Sequence, residues 1–128
     1  MTVAELFTVH GSKSGTGDMD LTSDLFHGTT SSIRIPKGMK LKIWARRVTG
    51  DAAGTLAIQY THDITAGTPT WVTLSTIYLA AAGEEDLTLS KRPIKVMGFT
   101  GNEAVKVTVV SGSGNYTADL DVEITDGE

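Results

Sequence analysis

From Tyr116 to Thr125 the chain alternates without a break. Tyr116, Ala118, Leu120, Val122 and Ile124 fall on one side, and Thr117, Asp119, Asp121, Glu123 and Thr125 on the other. A β-strand, whose successive side chains point to opposite faces, sorts this stretch into an apolar side and a polar one. One side is then buried while the other meets water, as in antiparallel sheets. The same period recurs upstream. Met39, Leu41, Ile43 and Ala45 oppose Lys40, Lys42, Trp44 and Arg46, and Leu56, Ile58 and Tyr60 oppose Ala57, Gln59 and Thr61. Val105, Val107 and Val109 alternate with Lys106 and Thr108. Shorter strands are expected at 33–36, 71–79, 87–89 and 94–96. Trp71 to Leu79 carries large residues on both sides, which predicts burial on two sides, in the core and against a neighbour.

Between these runs stand turn signals: Pro36-Lys-Gly38, Gly50-Asp-Ala-Ala-Gly54, Gly67 with Pro69, and Ser111-Gly-Ser-Gly-Asn115. No segment keeps a helical period over the length a helix needs, and the connections are too short for βαβ units. About eight strands at this spacing predict an all-β antiparallel β-sandwich, an eight-stranded jelly roll. A chain of 128 residues suits one domain. Its sandwich core is expected over 33–128. Residues 1–32, rich in Gly, Ser, Thr and Asp after His10, read as a flexible N-terminal arm or long loop, in which 1–9 alternate weakly as a short edge strand or an arm on a neighbour and a short strand near 19–26 could be hidden.

Composition narrows the chemistry. Without cysteine there is no disulfide, thiol nucleophile or thiolate metal site. A net charge of -4 argues against a protein that tracks a nucleic-acid backbone. Residues 1–7 lack the basic and apolar regions of a signal peptide, and no run approaches the ~20 apolar residues of a membrane span. The acidic row Asp119, Asp121 and Glu123 spaces carboxylates about 6.6–7 Å apart. That suits a solvated strand face, a cation held with help from loops, or paired acid–base groups, and the sequence leaves the cation question open. His10, His27 and His62 are scattered, and Asp18, Asp20 and Asp24 lack the Gly and Glu of a calcium loop. No Gly-x-Ser-x-Gly elbow or phosphate loop is present. The chain therefore reads as a non-enzyme without a cofactor.

Lys37, Lys40, Lys42, Arg46 and Arg47 form a basic stripe around Trp44. Its sign is opposite to that of the acidic row, which predicts complementarity between copies or between strands of one sheet. The candidate interface residues are Leu6, Phe7, Lys40, Lys42, Trp44, Arg46, Trp71 and Tyr78. Trp44, Trp71, Tyr60 and Tyr78 also suit sugar stacking on a carbohydrate-binding sandwich.

Across residues 33–126 the chain resembles tailed-phage capsid decoration, or cement, proteins. The resemblance lies in short Thr/Val strands, in Ile33-Arg-Ile-Pro36-Lys-Gly38, in Trp71-Val-Thr-Leu74, and in the Ser-Gly-Ser-Gly turn before the last strand. It implies a virion protein that stabilises a capsid lattice, with the major capsid protein or other assembly subunits as partners. It further implies self-association, often as a trimer, with residues 1–32 reaching a neighbour, and no membrane or specific nucleic acid. The alternative is a carbohydrate-binding or adhesion β-sandwich module.

Overall fold

The computed structural model describes residues 5–80 and 93–126. It is an all-β sandwich of two antiparallel sheets. Sheet A contains β1 (Glu5–Ser14), β3 (Asp20–Ser23), β4 (Phe26–Thr30), β6 (Met39–Gly50), β9 (Ile94–Met97) and β11 (Asn115–Asp126), in the order β4-β3-β1-β11-β6-β9. Sheet B contains β2 (Gly17–Asp18), β7 (Gly54–Thr61), β8 (Val72–Leu79) and β10 (Ala104–Gly112), in the order β2-β10-β7-β8, with β5 (Ile33–Arg34) also paired to β10. The short strand expected at 87–89 lies outside the described residues.

Alternation builds the core. Val9, Leu41, Ile43, Tyr116, Leu120 and Val122 point inward from sheet A, and Leu56, Ile58, Ile77, Val105, Val107 and Val109 from sheet B. Met19 and Ile35 plug the space where the chain passes between sheets, with backbone bonds of 2.8 Å from Met19 N to Val107 O and from Ile35 N to Glu103 O.

Among the described residues the ladders shift register at four places; one lies between Thr22 and Ser23 where β3 meets β4, and the other three are bulges with a single extra residue. In β6, Asp119 pairs with Arg47 and Leu120 with Ala45, so Arg46 is the extra residue. Arg46 and Arg47 are both exposed, and the shifted phase turns Val48 inward. This carries β6 past the even alternation of Met39–Arg46 and on to Gly50, the start of the expected turn. In β8, Leu74 is extra between Thr73 and Ser75. That explains the untidy pattern there: Ile77 and Leu79 are buried, whereas Val72, Leu74 and Tyr78 are exposed. The two-sided burial expected for this strand is therefore replaced by one buried face. In β10 the extra residue is Val110, which is also exposed.

Residues 5–30 differ most from expectation. The leading arm is instead β1 to β4, and β1 pairs along its whole length with β11. The sequence hides this strand because Gly11 holds an inward position. A Cβ there would sit 3.0 Å from Met19 Sδ and 3.2 Å from Leu21 Cδ2, so close packing replaces the apolar side chain that periodicity looks for. The hidden-strand reading near 19–26 is what β3 and the start of β4 realise.

Two buried polar groups lock the ends. Tyr116 is buried and donates from Oη to Ala53 O at 2.9 Å. Gly50, Gly54 and Gly112 close around its ring. A Cβ on Gly54 would meet Tyr116 Oη at 2.8 Å and Ser111 O at 2.9 Å, and one on Gly112 would collide with Tyr116 Oη. At the other end Glu103, 3% exposed, accepts from Phe99 N at 3.0 Å, Thr100 N at 3.2 Å and Gly101 N at 3.1 Å. Burial alone would raise its pKa. The bonds from its own backbone and from Phe99 and Thr100 outweigh burial and hold the carboxyl below the ordinary glutamate value.

Gly54→Ala should destabilise the fold by about 1–3 kcal/mol, since the new methyl meets ring and backbone together; urea denaturation measures this. Because the folded pKa of Glu103 is lowered, its stabilisation is complete above the unfolded value of about 4.3 and fades as pH falls through the folded value. Glu103→Gln should lower Tm by about 5–10 °C at pH 7. It should also flatten the loss of Tm between about pH 5 and pH 3, as read by calorimetry.

Candidate ligand-binding face

The outer side of sheet A gathers the polar halves of the alternating strands. Cross-strand register sets its rows. Leu6, Glu123, Lys42 and Lys95 form one, Thr8, Asp121 and Trp44 the next, and His10, Asp119 and Arg47 the third. Neighbours across strands stand about 4.8 Å apart and successive rows about 6.8 Å.

The acidic and basic stripes of the sequence thus become adjacent strands. Arg46 bridges two carboxylates, with Nε 3.2 Å from Asp121 Oδ1 and Nη2 3.6 Å from Asp119 Oδ2. Asp121 Oδ1 also accepts from Thr8 Oγ1 at 2.9 Å, and Asp119 Oδ1 lies 2.8 Å from His10 Nδ1. Lys42 Nζ is 3.8 Å from Glu123 Oε1. Of the two forms of charge complementarity expected, the one within a single sheet is present. Each carboxylate faces a cation, a hydroxyl or an imidazole, and no group of three or more His, Asp and Glu among the described residues could hold a metal. The histidines do not gather: His27 lies on β4, and His62 packs edge-on to Tyr60 with centroids 5.1 Å apart. Asp18 is 3.0 Å from Lys106 Nζ, away from any loop of carboxylates.

Beyond the Asp119 row the face opens into a cleft of about 430 Å³ lined by Ser12, Lys13, Ser14, Asp20, Asn115, Tyr116 and Thr117. The Oγ1 atoms of Thr49 and Thr117 lie 2.6 Å apart beside it. Asn115 is fixed by Asp51, its N donating to Oδ1 at 2.6 Å and its Nδ2 to Oδ2 at 3.0 Å. Hydroxyl, amide and carboxylate groups therefore continue the polar rows down to the tip of the sheet.

Of the candidate interface residues, Leu6, Lys40, Lys42, Trp44 and Arg46 come together on this face. Phe7 does not, because it points inward and packs against the core. Trp71 and Tyr78 lie with sheet B: Trp71 immediately precedes β8 and has Lys106 Nζ of β10 4.2 Å from its ring centroid, and Tyr78 is 67% exposed on β8. Thr8, His10, Ser12, Lys95 and the cleft residues were not expected here. The Thr8–His10–Ser12 alternation was their one signal, and the Gly-rich surroundings masked it.

No family model and no curated protein matches the chain. A solved structure does: the N-terminal endo-1,4-beta-D-xylanase 10B of Clostridium thermocellum, CBM22-1 and GH10 modules, complexed with xylohexaose. Its identity is 14% and its TM-score 0.47, covering 94% of this chain and 26% of that one. This chain thus spans about a quarter of that chain's length. The match is to a xylanase and not to a capsid protein, and the expected virion decoration role, with its capsid partners and virion location, is withdrawn. The fold adds a physical observation: residues 5–30, expected to reach a neighbour, pair instead within the two sheets of this chain.

The ion pairs of this face are half-exposed, Arg46 48% and Asp121 33% by side chain. A double-mutant cycle of Arg46→Ala and Asp121→Ala should give a coupling of about 1 kcal/mol or less, shrinking as salt is added.

Proposed function

We propose that the chain is a non-catalytic carbohydrate-binding β-sandwich module that holds a polysaccharide along the outer side of sheet A. The observation that carries this is the setting of Trp44. It is a half-buried indole in the row of Thr8 and Asp121, on a face whose hydrogen-bonding groups run unbroken into the open cleft at Ser12, Asn115 and Thr117. A sugar has apolar ring faces and a rim of hydroxyls that both donate and accept. An indole offers an apolar body for the first, and paired carboxylates, hydroxyls and guanidinium offer partners for the second. Because Asp119 and Asp121 already hold Arg46, Thr8 and His10, those side chains lose little freedom when a ligand arrives.

The face lacks the deep apolar enclosure of a small-molecule site, so an extended chain suits it better than a compact ligand. Trp71 and Tyr78 are assigned no part in it, since they stand on the opposite sheet. We read the connectivity as a jelly-roll variant because the chain switches sheets repeatedly, from β1 to β2, β2 to β3, β4 to β5 and onward to β11.

The experiment is affinity electrophoresis in gels containing soluble neutral and acidic polysaccharides. Retardation by at least one is expected. Trp44→Ala should abolish it with Tm changed by no more than about 3 °C, while Trp71→Ala should migrate as the parent. No retardation in any gel, or equal loss from both substitutions, sinks the reading.

A further inference from the structure

One corner of the same face has charges that pairing within the sheet leaves poorly balanced. Lys42 on β6 stands directly across from Lys95 on β9. Lys42 alternates with buried Leu41 and Ile43, and Lys95 precedes buried Val96, so both point outward. Like charges directly opposite one another destabilise a strand pair. Lys40, across from Met97, adds a third ammonium two positions along β6. Among the described residues, the carboxylate facing this group is that of Glu123, at 3.8 Å from Lys42 Nζ, a long contact on half-exposed side chains. Trp44 is the next outward residue of β6 after Lys42.

We propose that this corner binds the carboxylate of an acidic sugar residue, so that the ligand is a uronic-acid-containing polysaccharide whose neighbouring ring packs at Trp44. The inference rests on the carbohydrate reading of this face and names its substrate class. A uronate carboxylate offers two oxygens to two ammonium groups, and charge-assisted bonds of this kind are among the stronger polar contacts. The zone is also bounded. One strand away runs the row Asp119, Asp121 and Glu123. A nucleic acid, with a phosphate about every 3.4 Å along each strand, would meet that row. A polysaccharide with one charge per sugar places its other hydroxyls there instead. The functional use accounts for a like-charge pair that folding alone would select against.

The test compares polygalacturonate, a neutral β-glucan and a single-stranded oligodeoxynucleotide as probes of the full chain. The parent protein should bind polygalacturonate about ten-fold or more tightly than the β-glucan, with the preference falling as salt rises. Lys42→Gln with Lys95→Gln should remove that preference, bringing polygalacturonate affinity down to within about two-fold of that for the β-glucan, with Tm unchanged or raised. Should the double variant misfold, exposed Lys95→Gln alone serves, with a smaller loss in the same direction. Equal binding of the two polysaccharides, an unaltered preference in the variant, or tighter binding of the oligodeoxynucleotide overturns the inference. Trp44-dependent binding without uronate preference overturns this inference alone. Failure of every polysaccharide overturns the carbohydrate reading with it.

Discussion

Strand β11 is hydrogen-bonded on both flanks, to β1 over Asn115–Ile124 and to β6 over Tyr116–Asp126. A strand paired on both sides satisfies its backbone polar groups within the sheet, so its side-chain alternation becomes a fixed division of space. Tyr116, Ala118, Leu120 and Val122 must then fill the gap between sheets, and Asp119, Asp121 and Glu123 must stand on the outer side. A slip of one residue would bury that acidic row and expose the core set. The pairing of β11 thus sets the core and the charged face together.

The neighbours of β11 had to fit both demands. β6 supplies apolar residues inward and cations outward, so the carboxylates meet opposite charge on one flank. On the other flank β1 brings Thr8 and His10. The bulge at Arg46 places a guanidinium where it spans Asp119 and Asp121. At the tip, the Tyr116 ring occupies space that side chains at Gly50, Gly54 and Gly112 would otherwise fill, which draws the β6–β7 and β10–β11 connections together. At the far end, the backbone donors gathered on the Glu103 carboxylate order the 99–103 turn without an apolar plug. On the carbohydrate-binding reading proposed above, a frame whose outer hydrogen-bonding groups are already held in place orders little on meeting an extended polar ligand.

Fold class, the buried sides of β6, β7, β10 and β11, and the opposed basic and acidic stripes follow from the sequence alone, because period two translates directly into faces. Legibility failed where a residue did its work without an apolar side chain. Gly11 packs against Met19 and Leu21 through the absence of a Cβ, so the second half of β1 passed for part of an arm or long loop. Bulges failed in the same way: a single extra residue at Leu74 inverts the phase of a strand, and no local composition announces it.

The sequence by itself therefore determined which residues alternate, and with them the sandwich, its core and the charge of its strands. Tertiary structure decided which strands lie side by side. Only pairing put β1 against β11, Lys42 against Lys95, and the cleft of Ser12, Asn115 and Thr117 beside the row of Trp44, while sending Trp71 and Tyr78 to the opposite sheet. The reason is physical. Alternation is fixed by the local geometry of the backbone, whereas adjacency is fixed by long-range hydrogen bonding and packing between segments far apart in the chain.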